Sequence, residues 1–200
     1  MKRVKIGQLL ADQSLLHEFF ADVRAGAVVV LPTDTLYGFA VDAGNAEAVA
    51  RVYKIKSRSD HKPLILFVHD IDEIAGLGID VSSEARRLLE KFWPGALTAV
   101  LPAVQHPLIS AFAFKNIGIR IPDHFELLQL LARLPGKLLT TSANRSGEPS
   151  DVDPDNIAAE FAGEVDWFLD GGLLTECVPS TVADFSVLPP LILRQGKIKL

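Results

Sequence analysis

A mixed α/β domain around one central mixed sheet is the fold class the sequence predicts. Short apolar runs rich in β-branched residues recur from Ala27 to Leu193, and amphipathic stretches headed by capping residues lie between them. Strands and helices are interspersed, but without the strict alternation of a doubly wound parallel sheet. The 200 residues fit one domain with a sizeable core, and we expect residues 1–200 to form it without an additional C-terminal domain.

Along the chain, Ser14 to Arg24 reads as an amphipathic helix that Gly26 ends. Ala27–Leu31 is a buried strand, Pro32-Thr33-Asp34-Thr35 a loop, and Tyr37–Asp42 a second strand. Asn45 is placed to cap a helix running through Arg51, Val52 and Ile55 to about Lys56. Pro63–Val68 is a buried strand, and Ser82 or Ser83 caps a helix that ends near Phe92-Trp93-Pro94-Gly95. Leu97–Leu101 and Ile117–Ile121 are strands, His124–Arg133 a helix, and Leu138–Thr140 a strand leading into the loop Thr141-Ser142-Ala143-Asn144. Pro154–Phe161 is the last helix, and Trp167–Asp170, Thr181–Phe185 and Leu191–Leu193 complete the strands.

Composition narrows the function classes. A hydrophobic fraction of 48% against 22% charged residues suits a globule. No apolar run approaches a membrane span, and the opening MKRVKIGQLLADQ meets polar residues too soon for a secretory segment, so a cytoplasmic protein with no membrane partner is expected. Cys177 is the only cysteine, which excludes an internal disulfide and a cysteine-based zinc site. The net charge of −5 argues against nucleic-acid binding through bulk electrostatics. Yet Arg51, Lys54, Lys56, Arg58 and Lys62 share one stretch with Asp60 as its only acid.

The sequence holds no Walker A loop, dinucleotide glycine fingerprint, HExxH or GxSxG, and His17, His61, His69, His106 and His124 lack metal-ligand spacing. Instead, polar residues sit just past or within apolar strands: Thr33, Asp34 and Thr35; Arg120; Ser142 and Asn144; Ser180 and Thr181; Arg194. Hydroxyls, an amide and arginines all donate hydrogen bonds, which suits carboxylate and phosphate oxygens. Each has a plainer reading. Thr33-Asp34-Thr35 fits an ordinary turn, Ser142-Ala143-Asn144 a cap or loop, and Lys54, Lys56 and Arg58 a helix C-terminus. Arg120, inside an apolar strand, is either on a solvated face or paired with an anion. Asp170-Gly171-Gly172 reads as a strand and turn without chemistry, and Trp93-Pro94-Gly95 and Cys177 as structural.

An ordered set of segments says more. PTDTLYG at 32–38, KSR at 56–58, KPLILFV at 62–68, FWPGALT at 92–98 and IGIRIPDH at 117–124 are followed by TSANRSGEPS at 141–150, LDGG at 169–172, STV at 180–182 and LILRQG at 191–196. Together they closely resemble the YrdC/Sua5 family, from about residue 8 to 198. The resemblance implies a twisted mixed sheet with flanking helices and a large concave, positively charged cleft. It implies synthesis of L-threonylcarbamoyladenylate from L-threonine, bicarbonate and ATP, with release of pyrophosphate. The product would serve N6-threonylcarbamoyl modification of adenosine 37 in tRNA, through downstream transferase proteins.

The family's Lys-x-Arg and Ser-x-Asn signature is met by Lys56 and Arg58 and by Ser142 and Asn144, the implied catalytic set. By the same resemblance, Thr35, Arg120, Ser142, Ser180 and Thr181 would bind threonine. Arg58, Lys62, Asn144, Ser150 and Arg194 would line the ATP site, and Lys56 would lie between the substrates. Mg2+ would arrive with ATP, and no resident metal or tightly bound cofactor is expected. The chain departs from the family at Lys62, where Asn is common, and at Phe67, where His is common; Phe67 cannot replace a histidine contact to threonine. A non-catalytic RNA-binding or ribosome-associated role, with weak double-stranded RNA binding through residues 51–62, is the alternative. A carbamoyl-adenylate enzyme for another acceptor fits less well, since such domains sit in longer, cysteine-rich chains.

Overall fold

The computed structural model describes residues 1–57, 63–79, 81–102 and 116–200. In chain order its elements are β1 (Lys2–Lys5), α1 (Ile6–Ala11), α2 (Gln13–Ala25), β2 (Val29–Leu31), β3 (Gly38–Asp42), α3 (Ala46–Ile55), β4 (Ile65–Phe67), α4 (Glu73–Gly76) and α5 (Ser83–Leu89). Then come β5 (Leu97–Pro102), β6 (Asn116–Arg120), α6 (Phe125–Arg133), β7 (Leu138–Ser142), α7 (Pro154–Glu160), β8 (Trp167–Asp170), β9 (Thr181–Asp184) and β10 (Leu191–Arg194).

The described strands form one sheet in the order β1-β8-β2-β3-β7-β4-β6-β5-β9-β10. It is mixed: β8 pairs in parallel with β1 and β2, β4 with β6, and β5 with β9, while the remaining pairs are antiparallel. The predicted class therefore holds. Helix starts follow local chemistry. Asn45 Oδ1 accepts from Ala48 N at 3.0 Å, Ser82 Oγ from Ala85 N at 3.1 Å, and Asp12 Oδ1 from Leu15 N at 3.0 Å. Gly26 ends α2 at φ 105°, a left-handed conformation that favours glycine. Three elements were not predicted, β1, α1 and α4, and β7 runs on through the expected loop to Ser142, which pairs with Gly38.

Strand alternation sends successive side chains to opposite faces, so the sheet carries two cores. On one face α3, α4, α5 and α7 pack against Val30, Phe39, Leu66, Ile119, Ala99 and Ala183, which covers the sheet from β2 to β9. On the other, α1, α2 and α6 pack against Trp167, Val29, Leu31, Ala40, Leu138 and Phe67. Strands β5, β6 and β9 give nothing to this second cluster. Among the described residues this face is thus helix-covered over one half only. On the other half the positions that alternation turns this way are small or polar, namely Thr98, Gly118, Arg120, Thr140 and Ser142, with Thr98 and Gly118 buried. Arg120, Thr140 and Ser142 line a cleft there.

Candidate active site

The cleft has a volume of about 590 Å3 and is lined by Thr33, Thr35, Ile65, Phe67, Arg120, Thr140, Ser142, Ser150, Cys177, Ser180 and Arg194, among others. Threonine hydroxyls from the loop between β2 and β3, an arginine from the end of β6, another from the end of β10 and serines from β7 and the approach to β9 meet there.

Arg120 is fixed by residues of two separate motifs. Its Nη1 donates to Thr35 Oγ1 at 2.9 Å, its Nη2 to Asp34 Oδ1 at 2.6 Å, and its Nε to the Gly95 carbonyl at 3.0 Å. The Thr33 hydroxyl lies 2.9 Å from that of Thr35 and caps the same turn, accepting from Leu36 N at 3.0 Å. Gly95 can be nothing larger, since a Cβ there would sit 2.4 Å from the Phe92 carbonyl oxygen. Of five guanidinium N–H groups three are thus spent on the described residues, which leave one on each terminal nitrogen. Two such donors match a two-oxygen anion. Arg120 is therefore buried and paired, at 4% exposure, rather than solvated.

Arg194 is the second cation. Its Nη2 donates to the Ser180 carbonyl at 2.9 Å, and among the described residues it pairs with no carboxylate. Burial pushes the pKa of both arginines down; Asp34 counters this for Arg120, while neighbouring Arg194 adds to it. The described cleft thus sets two cations against a single carboxylate, and Asp34 stands behind Arg120 rather than in the lining. An anion in the cleft would relieve that excess.

The four-residue signature is one hydrogen-bonded cluster as far as it is described. Lys56, 2% exposed, donates from Nζ to the Ser142 carbonyl at 2.6 Å, the Asn144 carbonyl at 2.7 Å and Asn144 Oδ1 at 2.9 Å. Ser142 Oγ donates to the same Oδ1 at 2.6 Å, and Asn144 Nδ2 to the Glu148 carbonyl at 2.5 Å. Lys56 therefore lies beneath the cleft wall and holds the loop through Asn144, which is half-buried, while Ser142 lines the cleft. Arg58 and Lys62 lie outside the described residues.

Thr181 is not brought into the cleft. Its hydroxyl faces the C-terminal turn, donating to the Ile198 carbonyl at 2.5 Å and accepting from Gly196 N at 3.0 Å and Ile198 N at 3.1 Å. Ser180, one residue earlier, points the other way and lines the cleft. Cys177 lines it too, donating from Sγ to the Ser150 carbonyl at 3.0 Å, and burial raises its pKa. Two further motifs buttress the wall. Tyr37 Oη donates to the Gly172 carbonyl at 2.7 Å and accepts from Gly171 N at 3.0 Å, so LDGG clasps PTDTLYG. Burial pushes the Tyr37 pKa up to about 12. Of the basic stretch, Arg51 pairs with Asp166 at 2.9 Å on the surface, and Lys56 is buried and not presented to a polyanion.

No described helix is long and apolar enough to cross a membrane, and the described residues hold no group of three or more His, Cys, Asp and Glu able to bind a metal.

Comparison with known proteins fits this geometry. A threonylcarbamoyl-AMP synthase of Pyrococcus abyssi is 34% identical over 179 residues, 89% of this chain and 53% of its own length. Another, of Bacillus subtilis, is 35% identical over 194 residues, 96% of this chain and 56% of its own. The chain thus spans about half the length of these curated relatives. The crystal structure of P. abyssi Sua5 complexed with L-threonine superimposes with a TM-score of 0.84 at 31% identity, covering 98% of this chain and 56% of that one. The Sua5_yciO_yrdC family model, described as telomere recombination, matches residues 21–196. With motifs, sheet and cleft in agreement, the chain belongs to the Sua5/YciO/YrdC family.

Proposed function

We propose that the protein is a threonylcarbamoyl-AMP synthase, a nucleotidyltransferase that makes L-threonylcarbamoyladenylate from L-threonine, bicarbonate and ATP for N6-threonylcarbamoyl modification of tRNA. The observation that carries this reading is the meeting of Arg120 and Arg194 in one hydroxyl-lined cleft where, among the described residues, the one paired carboxylate is Asp34 behind Arg120. The names of the relatives and the L-threonine bound to the P. abyssi protein support the choice of substrates.

In this proposal bicarbonate takes up a proton and loses water to give CO2, and the threonine amine adds to that CO2 and loses a proton, giving a carbamate. A carbamate oxygen then attacks the α-phosphorus of ATP, forming a P–O bond as the bond to pyrophosphate breaks. Both partners are anions, so repulsion is a main obstacle, and cations fixed before the reaction lower it. Arg120 would hold the amino-acid carboxylate with its two remaining N–H groups, beside Thr35 and Ser142. Arg194, with Ser150 nearby, would face the phosphates, joined by Arg58 and Lys62. Mg2+ enters with ATP as part of the substrate. Closing the cleft against water would protect the labile carbamate. The adenylate then passes to transferase proteins that act on tRNA in the cytoplasm.

The test is to incubate the purified protein with ATP, Mg2+, bicarbonate and either L-threonine or L-serine. Threonine-dependent formation of the acyl adenylate with one pyrophosphate per adenylate is the expected result. A folded protein that forms neither would overturn the proposal, and salt-dependent RNA binding without ATP turnover would put a non-catalytic role in its place.

A further inference from the structure

We infer that Thr98 is a positioning residue that makes the Ser180 hydroxyl a hydrogen-bond donor aimed into the cleft; the inference rests on the reading of the cleft proposed above. Thr98 and Ser180 are 1% and 3% exposed, and their Oγ atoms lie 2.9 Å apart, so one donates to the other. The direction follows from counting protons. A hydroxyl has one proton to give and two lone pairs to receive, whereas a guanidinium only donates. Arg194 Nη2, 3.3 Å from Ser180 Oγ, therefore occupies one of the Ser180 lone pairs.

Suppose Ser180 gave its proton to Thr98. The Thr98 proton would then need another acceptor, and among the described residues Thr98 Oγ1 has no second partner. At 1% exposure it has little access to water either. Suppose instead that Thr98 donates. Both lone pairs of Ser180 are then filled, by Thr98 and Arg194, and its own proton is left to point elsewhere. Ser180 lines the cleft, so a ligand oxygen there can receive it. Only this second arrangement leaves no buried hydroxyl proton unspent. Packing fixes the contact itself, because the Thr98 methyl lies against Gly118, 3.3 Å from where a Cβ would stand. Side-chain bulk there would press on that methyl, so the absent Cβ gives Thr98 room to turn its hydroxyl to Ser180.

The consequence is a polarity filter. A Ser180 hydroxyl that can only donate favours an anionic oxygen and offers nothing to an ammonium group. That oxygen belongs to the carboxyl end of the amino acid or to an ATP phosphate, and the two are separable by titration.

The experiment is isothermal titration calorimetry on the full chain, with L-threonine and with ATP in separate runs, for the parent, Thr98→Val and Thr98→Ser. Thr98→Val keeps the shape and removes the donor. We expect it to weaken L-threonine binding about tenfold, as loss of one oriented hydrogen bond does, with ATP binding within about twofold of the parent. Thr98→Ser should restore the affinity. In a Ser180→Ala background Thr98→Val should cost nothing further, as expected of a residue that acts only through Ser180. A tenfold loss confined to ATP would support the donor and assign its oxygen to a phosphate. Unchanged affinities in Thr98→Val would overturn the inference, as would failure of Thr98→Ser to restore them or equal losses for both ligands with a lowered melting temperature. A parent protein that binds neither ligand would overturn the reading of the cleft itself, and the inference with it.

Discussion

Replacing Lys56 with methionine keeps most of the aliphatic stem and removes the ammonium group. In the folded chain that group donates to the carbonyls of Ser142 and Asn144 and to Asn144 Oδ1, at 2.6, 2.7 and 2.9 Å. Hydrogen bonds from a charged donor contribute roughly 1.5–3 kcal/mol each, and removing the buried charge returns part of that through relieved desolvation. Asn144 Oδ1 keeps Ser142 Oγ as a partner, while the Lys56 bonds to the two carbonyls are lost. The expected net loss is about 3 kcal/mol, equivalent to a fall in Tm of roughly 6–12 °C for a chain of this size. The fold survives, since typical domains hold roughly 5–15 kcal/mol. The loop that carries Ser142 loosens, so threonine-dependent pyrophosphate release should nearly vanish even well below the new midpoint. Urea unfolding gives the stability, and a pyrophosphate assay on the same preparation gives the activity. A variant as stable as the parent yet inactive would refute the reasoning, because the ammonium would then act on a ligand and not on the loop.

Arg120→Ala should raise the KM for threonine tenfold or more with a small change in the KM for ATP, measured by steady-state kinetics; it also leaves Asp34 without its cation, at a stability cost of roughly 3–5 kcal/mol. An unchanged threonine KM would remove Arg120 from the carboxylate site. Thr181→Val should lower stability by about 1–2 kcal/mol by orphaning the backbone groups of Gly196 and Ile198, while both KM values stay within about twofold of the parent. Tyr37→Phe tests a pH effect. The folded-state pKa of Tyr37 is raised from 10.0 to about 12, so its contribution is fully present below pH 10 and is lost as pH rises towards 12. Urea unfolding at pH 9 and pH 11.5 should show the parent losing more stability than the variant over that interval, and equal losses would contradict the buried, neutral phenol.

Where the signal was local, the sequence disclosed the fold. Asn45 and Ser82 cap the helices they were expected to cap, because a single side chain and the next turn decide that geometry. β1 escaped notice because Lys2–Lys5 has no buried face pattern; it forms by parallel pairing with β8, far along the chain. α1 is six residues long with no side-chain cap, too little for a periodicity to register. Thr141 and Ser142 read as loop residues, and only their ladder with Gly38 and Phe39 makes them strand. Of the residues the resemblance implied, Arg120, Arg194 and Ser180 line the cleft and Thr181 does not. Period-two alternation carried the correction, since neighbours on a strand face opposite sides. Thr98 sat in plain view as a lone hydroxyl in the apolar run Leu97–Leu101, but its partner lies 82 residues away.

The sheet face that the described helices cover over one half has a bearing on how such a domain can change over time. On the covered half, each inward side chain is locked against a helix, and a substitution there must preserve volume. On the other half, the positions of Arg120, Thr140 and Ser142 face the cleft, while their neighbours Ile119 and Leu139 turn to the opposite side and join the core. Adjacent residues along a single strand are thereby under separate selection, one for folding and the next for chemistry. A lineage could rewrite the ligand preference at every second residue and inherit the scaffold intact.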